Sequence, residues 1–312
     1  MFSSASRRDF LRYSAAAAGT MVVGNHFAWA LEAPAPKMVI TRWTGPMPQS
    51  PSEFQQAVVK LTEQTVQAMG GISRFVKRGD VVWIKPNIGW DRTPELGANT
   101  NPDLVAALVR LCYDAGAKKV KVGDNPCDLP AKAYASSGIA DAAKQAGAEV
   151  IFLDRERFRE TDIKGERVKS IPVYPELVES DVVINVPIAK HHVLATVTLC
   201  MKNYMGVIEN RRLFHQDIPT CLADITRFMR PSFCILDCTR IMLNHGPKGG
   251  NLEDVQVKLT LAAGTDIVAL DAFGAEILGR KPDQIPSIVK GQQAGLGTMD
   301  YRSLQPKEIA LS

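Results

Sequence analysis

No C-x-x-C pair, no G-x-G-x-x-G fingerprint, no Walker loop and no G-x-S-x-G elbow occurs in these 312 residues. Each absence removes a class of protein. Without closely spaced cysteines there is no ligand set for a ferredoxin-type iron–sulfur cluster. Without the glycine fingerprint, a dinucleotide has no ready-made phosphate cradle at a strand–helix turn. Without the serine elbow, that type of hydrolase drops out. The six cysteines (Cys112, Cys127, Cys200, Cys221, Cys234 and Cys238) offer no sequence-level claim to a nucleophile. Cys234 and Cys238, the nearest pair, would stand roughly 13 Å apart along a strand, too far for a disulfide. No His-x-x-x-His helix supplies a standard zinc site. Basic blocks are missing as well: 37 Lys and Arg face 33 Asp and Glu, a net charge of +4. Nucleic-acid binding therefore has no electrostatic footprint.

What is present begins with a leader. Ser6-Arg7-Arg8-Asp9-Phe10-Leu11-Arg12 resembles the twin-arginine export signal, and an Ala-rich apolar stretch and the small-x-small site Ala28-Trp29-Ala30 follow it. The apolar stretch, residues 15–23, is too short for a comfortable membrane span. The expected organisation is a signal peptide over 1–30, a linker over 31–37 and an α/β domain over 38–312, with a subdomain boundary near 155–175. Arg7 and Arg8 would be read by the twin-arginine translocation machinery, giving a periplasmic or otherwise exported protein. Removing the leader takes away Arg7, Arg8, Arg12 and Asp9, so the charge falls from +4 to +2.

Along the rest of the chain, periodicity predicts strands at 38–43, 81–85, 119–122 and 149–153. Helices are predicted between them at 52–69, 102–115 and 131–146. Strands alternating with helices imply right-handed parallel crossovers. The second half adds a hairpin or edge segment at 165–173 and a strand at 181–186 that should stop at Pro187. Residues 195–205 read as a helix whose stripe of Val197, Met201 and Met205 favours core packing over a cofactor contact. A helix at 219–228, strands at 233–237 and 257–263, and a helix at 267–278 capped by Asp266 and stopped by Gly279 complete the pattern. The fold class expected is α/β: a Rossmann-like, mostly parallel sheet flanked by helices.

The segment 181–206 carries the densest chemistry. Lys190, His191 and His192 follow its apolar strand, and from 193 to 208 the only charged residue is Lys202. An ammonium in such a run must reach water or find an anion. The pattern N-x-P-x-x-K-x-H (Asn185 to His192) followed by T-x-x-x-K-N-x-x-G (Thr198 to Gly206) resembles domain-of-unknown-function family 362. Further matching pieces are Lys85-Pro86-Asn87, Thr100-Asn101-Pro102, Gly123-Asp124, His215, Gly246-Pro247 with Gly249-Gly250, and Thr265-Asp266 with Ala269-Leu270-Asp271. The resemblance runs from about residue 81 to 279 and implies no agreed activity. Some members of the family carry an appended ferredoxin module, which this sequence lacks.

Lys85 with Asn87, Asp124 with Asn125, Lys190 with His191, and Asp237 all stand at predicted strand exits, where open α/β sheets gather their ligands. Lys190, Lys202 and His191 are the candidate catalytic groups. Lys85, Asn87, Asp124, Asn203, Gly249, Gly250 and Asp271 are the candidate ligand-binding residues. The loop 244–251 around His245 offers backbone amides to an anion, or is simply a tight connection. Asp271, inside the last predicted helix, needs a partner, with Lys85, Lys190 or Lys202 as candidates. His192, His215 and His245 are the candidate metal ligands. Two functions follow. The export route and the family's ferredoxin company favour a cofactor- or metal-linked redox enzyme acting on a small anionic substrate, with a redox partner protein. The alternative is a non-redox protein that binds a small anion through its Lys, Asn and glycine-loop donors.

Overall fold

Along Val81–Pro86 the side chains alternate between two interiors. Val82 and Ile84 enter one apolar core and Trp83 the other, all fully buried. A strand buried on both faces belongs in the middle of a layered α/β sheet. The structure, a computed structural model, describes residues 35–312. The twin-arginine motif with Arg7 and Arg8, the cleavage site and the first residues of the linker lie outside the described residues.

In chain order the strands are β1 (Met38–Trp43), β2 (Val81–Pro86), β3 (Lys119–Val122), β4 (Glu149–Val150), β5 (Arg159–Asp162), β6 (Ser170–Val173), β7 (Val182–Val186), β8 (Ile188–His192), β9 (Thr196–Thr198), β10 (Phe233–Met242), β11 (Val255–Gly264) and β12 (Lys307–Leu311). The helices are α1 (Pro51–Ala68), α2 (Pro102–Asp114), α3 (Pro130–Ser136), α4 (Ile139–Gln145), α5 (Pro175–Val178), α6 (Cys200–Asn203), α7 (Ile218–Met229), α8 (Ile267–Ile277) and α9 (Pro286–Gln293). The central sheet runs β12-β1-β11-β10-β7-β2-β3-β4. Every neighbouring pair is parallel except those made by β11, which runs against both β1 and β10. This is the mostly parallel α/β sheet that the alternation of strands and helices implied. Among the described residues no helix is long and apolar enough to cross a membrane.

Local signals explain the element ends. Ser50 accepts the Glu53 amide at 3.2 Å while Glu53 reaches back to the Gln49 amide at 2.7 Å, a reciprocal cap that starts α1. Asn101 caps α2 by accepting the Asp103 amide at 2.8 Å. Asp266 caps α8 through the Ala269 amide at 2.9 Å.

Several expectations are corrected. The helix expected over 131–146 is two helices, because Gly138 takes a left-handed φ of 70° between α3 and α4. The strand expected over 149–153 stops at Val150, and that over 233–237 continues to Met242. The edge segment is β6, which pairs with β5 rather than folding on itself. Pro187 interrupts one strand line without ending it. Its carbonyl accepts the Asp237 amide at 2.9 Å, and the chain resumes as β8 alongside β10. Lys190, His191 and His192 therefore stand on a strand, not in an exit loop. The helix expected over 195–205 is instead β9 followed by the single turn α6. Val197 and Met201 are buried, as a core stripe would be, and Met205 is buried but also lines a cavity.

β2 sends its connection towards β3 and β4, whereas β7 sends its own towards β10. The two strands are neighbours, so the crevice beyond their carboxyl ends is a topological switch point, where open α/β sheets hold ligands.

A cationic pocket at the switch point

Beneath the crevice lies a buried ion pair. Lys85, at the end of β2, is fully buried and donates to Asp124 Oδ1 at 2.7 Å and to the Pro86 carbonyl at 3.0 Å. Burial holds the Lys85 ammonium below its usual range, and Asp124 opposes that shift. The carboxylate is saturated further by the amides of Ile88 at 2.8 Å and Asn125 at 2.9 Å. Gly206 covers the pair. A Cβ there would stand 1.7 Å from Asp124 Oδ1 and 2.7 Å from Lys85 Nζ, so no side chain fits.

A relay of amides runs through the same floor. Asn87 donates to Asn203 Oδ1 at 3.0 Å, and Asn203 donates to Asn185 Oδ1 at 2.8 Å and to the Lys85 carbonyl at 3.1 Å. Asn185 passes the chain on to the Cys200 carbonyl at 3.0 Å. Lys190 Nζ ends the relay by donating to Asn87 Oδ1 at 3.0 Å and to the Ala98 carbonyl. Each buried amide has its partners, as buried polar groups require.

A cavity of about 380 Å³ opens above this floor, within the usual range for small-molecule sites. Three cations line it: Lys190, Lys202 and Arg211. Lys190 is 1% exposed, and its pKa is lowered to about 7 by burial, with the Lys202 charge acting the same way. Burial lowers that of Lys202 to about 8. Among the described residues the only hydrogen-bond acceptor near its ammonium is Met205 Sδ at 3.6 Å. Arg211 is fixed by the carbonyls of Met205, Pro126 and Asn125. Among the described residues none of the three forms an ion pair; Asp124, the one carboxylate in the wall, is engaged by Lys85.

Strand alternation separates the histidine pair. His192 faces the pocket with Lys190, and its Nδ1 accepts the amides of Leu194 at 3.1 Å and Ala195 at 3.2 Å. That assigns the ring proton to Nε2. Burial first, then Lys202 and Lys190, lowers its pKa to about 3, so the ring is neutral. Thr198 lies directly opposite Lys190 in the β8–β9 register. Its hydroxyl is buried, lines the pocket and has no hydrogen-bond partner among the described residues. His215 stands at the pocket's edge, its pKa lowered by burial, Lys202 and Arg211.

The structure thus brings together Asn87, Asp124, Lys190, His192, Lys202, Asn203 and His215 from five separate chain segments. Other sequence candidates stand elsewhere. Lys85 supports the floor but is spent on Asp124. His191 points away and accepts the Gly246 amide at 3.1 Å. His245 is exposed and bound to Asp254 at 2.9 Å, outside the pocket, so His192, His215 and His245 do not form one ligand set. Among the described residues no three His, Cys, Asp or Glu side chains gather to hold a metal ion. Gly249 and Gly250 do not line the pocket; Gly249 makes room for Met242, whose Cε would lie 2.5 Å from an added Cβ. Only Pro247 of that loop reaches the cavity.

Among the described residues Asp271 has no lysine partner. It is buried, and its carboxylate accepts the amides of Cys200 at 2.6 Å and Met201 at 3.2 Å, pinning the turn that carries Lys202 and Asn203. Burial pushes its pKa up to about 7 against those two amides. Asp237 sits inside β10, where it accepts the Asn101 amide at 2.7 Å and the Thr239 hydroxyl. The sequence reading missed Arg211, Trp90, Thr198 and Cys127. Arg211, four residues before His215, and Thr198, which opens the T-x-x-x-K-N-x-x-G pattern, carried usable signals.

These features define an α/β protein with a cationic pocket at the switch point of its sheet. The chain belongs to the family described as domain of unknown function (DUF362), whose profile matches residues 82–276. A thylakoid-associated protein of Synechocystis sp. is 28% identical over 260 residues, covering 79% of each chain. Two solved structures are more distant. The lactate racemase apoprotein of Thermoanaerobacterium thermosaccharolyticum aligns at TM-score 0.41 and 12% identity, over 78% of this chain and 57% of its own. A protein from Thermotoga maritima aligns at TM-score 0.37 and 11% identity, over 80% and 61%. The chain therefore spans less than two thirds of either.

Proposed function

We propose that this protein binds a small organic anion in the switch-point pocket and exchanges a proton with it through Lys190. The observation that carries this reading is the uncompensated charge of Lys190, Lys202 and Arg211 in one cavity, with the only nearby carboxylate already paired. Isolated buried charge is costly and is retained where a ligand supplies the counter-charge. Thr198 and the neutral His192 add hydrogen-bond donors for a carboxylate or phosphate oxygen. Trp90, Met205, Val193 and Leu194 give the cavity an apolar wall, which suits an organic rather than an inorganic anion. A lysine with a pKa near 7 is matched to proton transfer at neutral pH. Three cations dominate the lining, and among the described residues its His, Cys and Asp side chains do not gather into a metal-holding set, so the pocket supports the anion reading in preference to a metal-linked redox enzyme.

The test is calorimetric titration with benzoate and phenyl phosphate, with benzamide as the neutral control. Affinity for the anions should be highest below pH 7 and fall as pH rises through about 7 and then about 8, where Lys190 and Lys202 lose their protons. The unliganded protein should respond in the opposite sense. Both lysines are lowered from an unfolded value near about 10.4, so the unfolded chain binds more protons between pH 7 and 10. Stability should therefore rise across that window and be lost as pH falls back through it. Benzamide binding as tightly as benzoate, or an affinity indifferent to pH, would sink the reading.

We also propose that the chain is exported by the twin-arginine route, on the strength of Ser6 to Arg12 and the site ending at Ala30. Replacing Arg7 and Arg8 together by lysine should retain the protein in the cytoplasm of a host with that pathway. Unchanged recovery outside the cytoplasm would refute it.

A further inference from the structure

Cys127 differs from the other five cysteines in being exposed; they are buried. It belongs to the loop that leaves β3, and the loop is held firmly. The Cys127 amide donates to the Gly89 carbonyl at 2.9 Å, and the Asn125 amide to the Gly206 carbonyl at 3.2 Å. The thiol forms part of the pocket wall, and Arg211 Nη1 donates to its sulfur at 3.5 Å. Lys190 and Lys202 line the same cavity as that sulfur. A second, independent feature marks where a ligand sits: the Thr198 hydroxyl, 3% exposed, faces the same cavity without a partner. Two ammonium groups and an orphan hydroxyl can hold a carboxylate at the floor, while the sulfur stands in the wall beside it.

From this arrangement we infer that Cys127 is a nucleophile towards small anionic electrophiles, such as α-substituted carboxylates, held by Lys190, Lys202 and Thr198. In the reaction the sulfur attacks the carbon that bears the leaving group. The S–C bond forms, the C–leaving-group bond breaks, the leaving group departs with the electron pair, and the thiol proton passes to water. The inference rests on the anion-binding reading of the pocket and adds the reactive group and the ligand class.

The experiment compares iodoacetate with iodoacetamide on the full-length folded protein, with alkylation of each cysteine followed by peptide mass spectrometry. Ordinary thiols react faster with the neutral reagent. Here iodoacetate should label Cys127 about tenfold faster than iodoacetamide does, the lower end of what a focusing cationic cleft provides. The advantage should shrink as salt is raised, and benzoate should protect. Lys202→Met should slow iodoacetate alone. Iodoacetamide reacting as fast as iodoacetate overturns the inference, as does labelling confined to other cysteines. If neither reagent labels Cys127 while benzoate still binds by calorimetry, the nucleophile fails and the anion site stands. If benzoate does not bind either, the anion reading fails with it.

Discussion

Lys202→Met should weaken benzoate binding by about 30-fold or more while leaving the melting temperature unchanged or slightly higher. Truncating one partner of a desolvated charge pair costs about 2–5 kcal/mol, and each 1.4 kcal/mol is about tenfold in affinity. Lys202 is the cation from which this is expected most cleanly. Lys190 is tied to Asn87 and the Ala98 carbonyl, and Arg211 to three carbonyls, so removing either also disturbs the wall. Among the described residues Lys202 has only the Met205 sulfur. Methionine keeps the apolar stem and removes an ammonium that burial already disfavours, so the unliganded fold loses nothing. A variant that melts well below the parent would show that Lys202 holds the structure together, and the site would lose its centre.

Asp124→Ala should have the largest effect on stability, a loss of about 3–5 kcal/mol, because it leaves Lys85 buried beside nothing that can carry its charge. The Ile88 amide would lose its acceptor in the same stroke, and the Asn125 amide would keep only the Gly206 carbonyl. The informative comparison is the double variant with Lys85→Met. Removing both charges should recover part of the loss, since a buried pair replaced by apolar groups is often close to neutral. Denaturant unfolding of the two single variants and the double measures the coupling between them. A single-variant cost under about 1 kcal/mol would mean that water reaches Lys85 and that the pair is not the floor described here.

The elements that depend on local signals were legible in the chain. Asp266 starts a helix because its side chain satisfies an amide one turn ahead, and that contact is written into adjacent residues. The apolar runs of β2 and β7 announce a doubly buried sheet for the same reason. The sequence also marked Lys190 and Lys202, since an ammonium in an apolar setting is visible without coordinates.

Only the tertiary structure decided how these groups are used. Pro187 stops a ladder bond but not a strand, because β10 is long enough to pair with the chain on both sides of it. That continuation turns His191 away and His192 inward by the simple alternation of a strand. Lys85 and Asp124, 39 positions apart, neutralise each other, so Lys85 leaves the ligand set and Asp271 turns out to hold amides instead of a lysine. Arg211 and Cys127 join the pocket from segments 84 residues apart. Spacing along a chain reports contacts within a turn or a strand. A site built from five crossing segments is fixed by which strands lie side by side, and that is a property of the packed sheet.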